Sequence, residues 1–191
     1  MVYDRNSSAG RLLLTAWRLG GPLYRALGRL DACYGAASWA EALKWLASYR
    51  APEPIAEVQF WGHGKWGKVL IGDTYLDAAS CEPRCPEQAD LLAVRSRLVA
   101  GTGLWWFRTC STFGTAAGHH LARAWASFLG CRVAGHTFLI GLHQSGLHSL
   151  GPGETPSWSV TEGSAGAAPL WSRPGAPNTI TCFHGQVPAG Y

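Results

Sequence analysis

The segment Leu104-Trp-Trp-Phe-Arg-Thr-Cys110-Ser-Thr-Phe-Gly114 constrains this chain most. Four apolar positions, Leu104 to Phe107, lead through Arg108 and Thr109 to a cysteine and a short polar turn, the pattern of a buried strand feeding a loop and helix. In an open α/β sheet, reactive side chains are presented where the chain leaves the carboxyl end of a strand, because rigid backbone holds them at a crevice. A second strand pattern, Ile55 to Trp61, ends in Gly62-His63-Gly64. A thiol and an imidazole at two strand ends are the minimum equipment for a cysteine nucleophile with its base.

The pattern around these two segments predicts the rest. Val2-Tyr3 reads as a short strand, followed by a polar turn from Asp4 to Gly10, a helix around Leu23 to Leu27 and a strand at Ala32 to Tyr34. Ser38 and Glu41 fit a capping box that opens a helix from Trp39 to about Tyr49, closed by Pro52 and Pro54. Gly67 to Gly72 and Thr74 to Leu76 read as a hairpin, Cys81 to Pro86 as a loop, and Glu87 to Val99 as a helix. Ala116 to Leu129 is the next helix, with Gly130 just past its end, and Cys131 to Ala134 and Thr137 to Ile140 follow as strands. Strand and helix alternate from Ile55 to Val133, which predicts an α/β fold: a three-layer sandwich with a mostly parallel central sheet and helices on both faces. Residues 143–191 are rich in glycine and proline and read as a C-terminal wrap, with strand patterns only at Trp158 to Thr161 and Thr179 to Phe183.

A length of 191 residues suits one domain. Hydrophobic residues make up 47% against 15% charged, so a packed core is expected. The net charge of +4 comes from scattered Arg and Lys, which predicts neither nucleic acid nor an anionic membrane as a partner. Leu12 to Leu27 is apolar, but Arg18, Arg25 and Gly20-Gly21-Pro22 rule it out as a membrane span. The N-terminal residues lack a secretory pattern, so cytoplasmic residence is expected, and the six cysteines (33, 81, 85, 110, 131 and 182) read as reduced thiols.

A thiol attacking a carbonyl needs an imidazole to take its proton and amide N–H groups aimed at the oxygen that becomes negative. His63 and Cys110 supply the pair, and the amides of Gly64 and Cys110 are the candidate oxyanion donors. Arg108 lies two positions before Cys110, on the same side of its strand. Gly135-His136-Thr137 is placed beside the cleft at a neighbouring strand end, and Gln144-Ser145-Gly146 is a polar loop within reach of a substrate. His136, His143, His148 and Cys131 show none of the zinc-motif spacings, so no metal and no organic cofactor is expected. Neither a Gly-x-Ser-x-Gly elbow nor a phosphate-binding loop occurs.

The order of apolar strand, His63-Gly64, the short strand Lys68-Val-Leu-Ile71, a helix, and an apolar strand ending in Cys110 resembles the caspase-like cysteine peptidases of the caspase–gingipain clan, most closely its bacterial branch. The separation of His63 and Cys110 is 110 − 63 = 47 positions, against about 50 in caspases. The resemblance covers roughly residues 55–140. It implies a cysteine endopeptidase acting on a protein or peptide, with His63 as general base and acid, Cys110 as nucleophile and the Gly64 amide at the oxyanion. It also implies that Arg108 forms part of the pocket for the residue before the cut and favours an acidic one. The Gln-Ala-Cys signature of the animal enzymes is absent, Arg108-Thr109 standing before the cysteine. Two other readings are an inactive module of the same fold, binding partners through Trp61, Trp66, Trp105 and Trp106, and a metal-dependent hydrolase using the later histidines.

Overall fold

The computed structural model describes residues 1–6, 11–164, 168–171 and 178–191; part of the expected turn from Asp4 to Gly10 lies outside them. Six strands form the central sheet: β1 (Val2–Asp4), β2 (Tyr34–Ala36), β3 (Glu57–Trp61), β7 (Leu104–Arg108), β8 (Arg132–His136) and β10 (Leu147–Leu150). Their order is β10-β8-β7-β3-β1-β2, parallel throughout except for the antiparallel edge strand β10. Between β3 and β7 runs a three-stranded antiparallel ribbon of β4 (His63–Lys65), β5 (Lys68–Ile71) and β6 (Thr74–Leu76). Strand β9 (His143–Ser145) pairs with β11 (Thr179–Thr181).

The direction of each crossover explains where the helices lie. From β1 the chain passes through α1 (Arg11–Ala26) to β2 on one side of it. Every later crossover moves the opposite way across the sheet, through α2 (Trp39–Ser48), α3 (Gln88–Arg97) and α4 (Thr115–Leu129). Right-handed crossovers in opposite directions place their helices on opposite faces. Accordingly, side chains of α2, α3 and α4 share one core with Val58, Phe60, Trp105 and Phe107, whereas Tyr24 of α1 packs with Met1 and Trp61 on the other face. The second outer layer is completed by the C-terminal residues Ile180, Val187 and Tyr191 against Trp106, Ala134 and Leu147.

The three-helix face is built on aromatic packing. Trp125 of α4 lies with its ring centroid 5.2 Å from both Trp105 and Phe107, and its Nε1–H donates to the Asp77 carbonyl at 3.0 Å. Helix α2 opens on Ser38, whose hydroxyl accepts from the Glu41 amide; Glu41 reaches back one residue further than a capping box requires, to the Ala37 amide at 2.8 Å. Helix α4 closes on Gly130 in the left-handed region, φ 67°.

Several expected elements are displaced. Helix α1 is longer than the apolar pattern suggested, running from Arg11 through Pro22. Strand β2 begins at Tyr34, where the chain meets the edge of β1, two residues after the expected start. Residues Thr137 to Ile140 are not a strand: β8 runs unbroken to His136, and the next residues turn to contact the Cys110 loop. Residues Trp158 to Thr161 are not a strand either, and β9 and β10 arise in a stretch whose alternation is too short and polar to announce them. Among the described residues, no helix is long and apolar enough to cross a membrane.

Replacing Trp125 by Ala removes the ring that bridges Trp105 and Phe107 and leaves a large void. Urea unfolding is expected to show a loss of about 3–5 kcal/mol.

Candidate active site

The register of β3 against β7 brings the two candidate residues, His63 and Cys110, to one end of the sheet. Trp61 pairs with Arg108 across adjacent parallel strands, and His63 and Cys110 each lie two positions beyond that pair. A cavity of about 470 Å³ opens there, and both His63 and Cys110 line it. Arg108 and Gln144 also reach its wall. Its mouth is formed by Leu19 and Leu23 of α1 together with Leu142 and Phe183. The cavity therefore lies between the carboxyl ends of the strands, α1 and the C-terminal residues, beside the point where the strand order reverses at β1.

The loop carrying Cys110 is held from two sides. On one, the turn between β4 and β5 donates Trp66 N–H to the Ser111 carbonyl and Gly67 N–H to the Thr112 carbonyl, both at 2.9 Å. On the other, Ser111 N–H donates to the Phe138 carbonyl and Phe113 N–H to the His136 carbonyl, again at 2.9 Å. Ser111 is thereby kept in the left-handed region at φ 50°, a conformation that a non-glycine residue holds only when its surroundings impose it. The Cys110 sulfur accepts from the Ile140 amide at 3.4 Å. The ribbon that begins at His63 and the loop that holds Cys110 are thus joined by backbone hydrogen bonds.

Gly64 has a packing role in this junction. A Cβ there would lie 2.7 Å from the Thr109 hydroxyl and collide with that of Thr112, so only glycine lets β4 approach the cysteine loop. Gly62 and His63 line the cavity; Gly64 stands behind them, against Thr109 and Thr112.

Arg108 is 2% exposed and has no carboxylate partner within ion-pair distance among the described residues. Its guanidinium lies 4.2 Å from the ring centroids of both Trp61 and Trp106. All five N–H donors meet neutral oxygens. Nε and Nη2 donate to Gln144 Oε1 at 3.1 and 2.8 Å, and Nη2 also to the Cys182 carbonyl at 3.0 Å. Nη1 donates to the His184 carbonyl at 2.8 Å and to Gln59 Oε1 at 3.4 Å. Burial pulls its pKa down to about 10, so the charge persists at neutral pH. Gln144, a loop residue by pattern, is a strand residue whose side-chain oxygen faces this guanidinium.

His136 is fully buried and does not line the cavity. Its ring lies 6.4 Å from Trp106, Nδ1 meets the Ser145 carbonyl at 3.2 Å, and Nε2 is buried without a hydrogen-bond partner. The later histidines do not converge. His148 Nε2 pairs with Glu162 at 2.6 Å and its ring stacks on Trp158, while His143 lies against Trp171. Among the described residues, no three His, Cys, Asp or Glu side chains are grouped as a metal site would need. The tryptophans expected to form a binding surface are mostly interior: Trp61, Trp105 and Trp106 are buried and only Trp66 is exposed, because the strands that carry them are covered on both faces.

Burial pushes the pKa of Cys81 up to about 12 and that of Cys131 to about 11, and also raises those of Cys33, Cys85 and Cys182.

Burial, with the Arg108 charge adding to it, lowers the pKa of His136 to about 3. Between that value and the ordinary histidine value of about 6.5, the unfolded chain binds a proton that the folded chain refuses, so stability falls as pH drops through this window. The contribution is at most about 1.4 kcal/mol per pH unit. Urea unfolding at pH 4.5 and 7 is expected to show a smaller pH-dependent loss for His136→Asn than for the wild-type chain. Comparison of the chain with protein-family models, curated proteins and solved structures finds no match.

Proposed function

We propose that this protein is a caspase-like cysteine endopeptidase with His63 and Cys110 as its dyad. The observation that carries this reading is that both side chains line one cavity at the carboxyl ends of adjacent strands. The Cys110 sulfur attacks the scissile carbonyl while its proton passes to His63. The C–N bond then breaks as His63 returns that proton to the leaving amine, and an acyl thioester remains on Cys110. Water, deprotonated by His63, attacks the thioester; the acid product leaves and the thiol is restored. The developing oxyanion is assigned to the amide of Cys110, since Gly64 does not line the cavity. No cofactor or metal is needed for these steps.

Arg108 supports a preference for an acidic residue before the cut. Its charge reaches the cavity wall and has only neutral partners, and a carboxylate offers a bidentate, charge-assisted contact that neutral carbonyls do not. In the present arrangement the Cys182 and His184 carbonyls hold two of the donors, so such a side chain binds by displacing them.

An iodoacetamide time course read by peptide mapping is expected to modify Cys110 before the other five cysteines, and more slowly in His63→Ala. Cleavage of Asp-containing peptides is expected to vanish in Cys110→Ala and to fall at least about 100-fold in His63→Ala. A Cys110 no more reactive than Cys131, or cleavage that survives Cys110→Ala, overturns the assignment. Arg108→Gln is expected to lower kcat/KM for Asp peptides by about 10-fold or more relative to Asn peptides. An unchanged Asp-to-Asn ratio removes the acidic preference.

A further inference from the structure

The mouth of the cavity carries a second recognition feature. Leu19 and Leu23 are 66% and 48% exposed, and Leu142 and Phe183 are each 59% exposed. A single exposed leucine is ordinary, but four large apolar side chains from three separate segments around one opening are not. Leu19 and Leu23 are one helical turn apart on α1, so they present a single stripe, while Tyr24 beside them turns inward, its ring centroid 5.7 Å from that of Trp61 and tilted to it by 58°. Phe183 belongs to the segment whose neighbouring carbonyls, those of Cys182 and His184, contact Arg108. Leu142 is tied to the same segment, its carbonyl accepting from the Cys182 amide at 2.8 Å. The apolar rim and the cationic floor are therefore parts of one rigidly connected opening.

We propose that the rim is a specificity subsite for a large apolar residue flanking the acidic one, so that the substrate class is a peptide pairing Asp or Glu with a neighbouring Leu, Phe or similar side chain. This rests on the peptidase reading above. A cation with no carboxylate partner fixes where the acidic side chain goes, and the leucines then lie within the reach of an adjacent residue outside the opening. Burying that residue removes apolar surface of both partners from water, and this gain offsets the displacement of the carbonyls from Arg108. An amphiphile with a carboxylate and an alkyl chain meets the same two features, as does a second copy of the chain on the α1 stripe. The peptide is favoured because the thiol and imidazole in this cavity act on an acyl group.

The test uses the full chain with peptides in which Asp is kept and the residues on either side are varied through Gly, Ser, Leu and Phe. Leu or Phe at one flanking position is expected to raise kcat/KM about 10-fold or more over Gly. In Leu23→Ser and Leu142→Ser, at exposed positions where thermal unfolding is expected to match the wild-type chain, that ratio is expected to shrink several-fold. Asp-dependent cleavage with equal rates for Gly and Leu, or a ratio that survives both substitutions, overturns this inference alone. Absence of any Cys110-dependent cleavage overturns the peptidase reading and this inference with it. Protection of Cys110 from iodoacetamide by dodecanoate but by none of the peptides, or a dimer that Leu23→Ser converts to monomer, assigns the rim to another occupant.

Discussion

The contact on which the cavity end of the sheet depends is the burial of Arg108. A guanidinium taken out of water costs several kcal/mol unless its donors are met, and here each of the five is met by an oxygen. Those oxygens come from β3, β9 and the C-terminal segment, so one side chain on β7 binds four parts of the chain into a single wall. The two tryptophan rings at 4.2 Å add the attraction of a cation for aromatic faces and exclude water from both sides. The same rings occupy the layer where α1 and the C-terminal residues meet the sheet.

That wall belongs to the cavity that His63 and Cys110 also line, and the loop carrying Cys110 is as firmly held. Four backbone hydrogen bonds at 2.9 Å fasten Ser111, Thr112 and Phe113 to the turn between β4 and β5 and to the residues around the end of β8. The strained Ser111 is a consequence of this double attachment. The far side of β8 is secured in turn by Glu162, which accepts from the Thr137 hydroxyl and meets His148, each at 2.6 Å. Burial favours the neutral acid at Glu162, but the hydrogen bonds from His148 and Thr137 outweigh it and keep the carboxylate ionised. The placement of Cys110 and His63 on one cavity thus comes from backbone contacts over a large part of the sheet.

Much of this frame was readable from residue order. The strand and helix alternation after Ile55 dictated parallel pairing, Ser38 and Gly130 marked helix ends, and Arg108 and Cys110 line one cavity as expected, although β7 itself ends at Arg108. Other parts were not readable. Strand β11 lies within the expected Thr179 to Phe183, but β9 and β10 are three or four residues long and carry His, Gln and Ser. Such segments become strands because a sheet edge offers them hydrogen bonds, and no local propensity reports that. Gly64 was read as an oxyanion donor, but that its missing Cβ makes room for Thr109 and Thr112 depends on the fold of residues far along the chain.

By itself, the sequence determined the α/β class and the two apolar strands that a cysteine and an imidazole each follow by two residues, because hydrophobic period and turn residues act over a few neighbours. The tertiary structure alone decided that β3 and β7 are adjacent and in register, so that His63 and Cys110 share a cavity. It alone decided that residues 182–184 occupy the Arg108 donors and that His136 is sealed in the core. Each of these joins positions that are tens of residues apart, and which of them meet is set by the packing of whole layers and by the need of every buried donor for a partner.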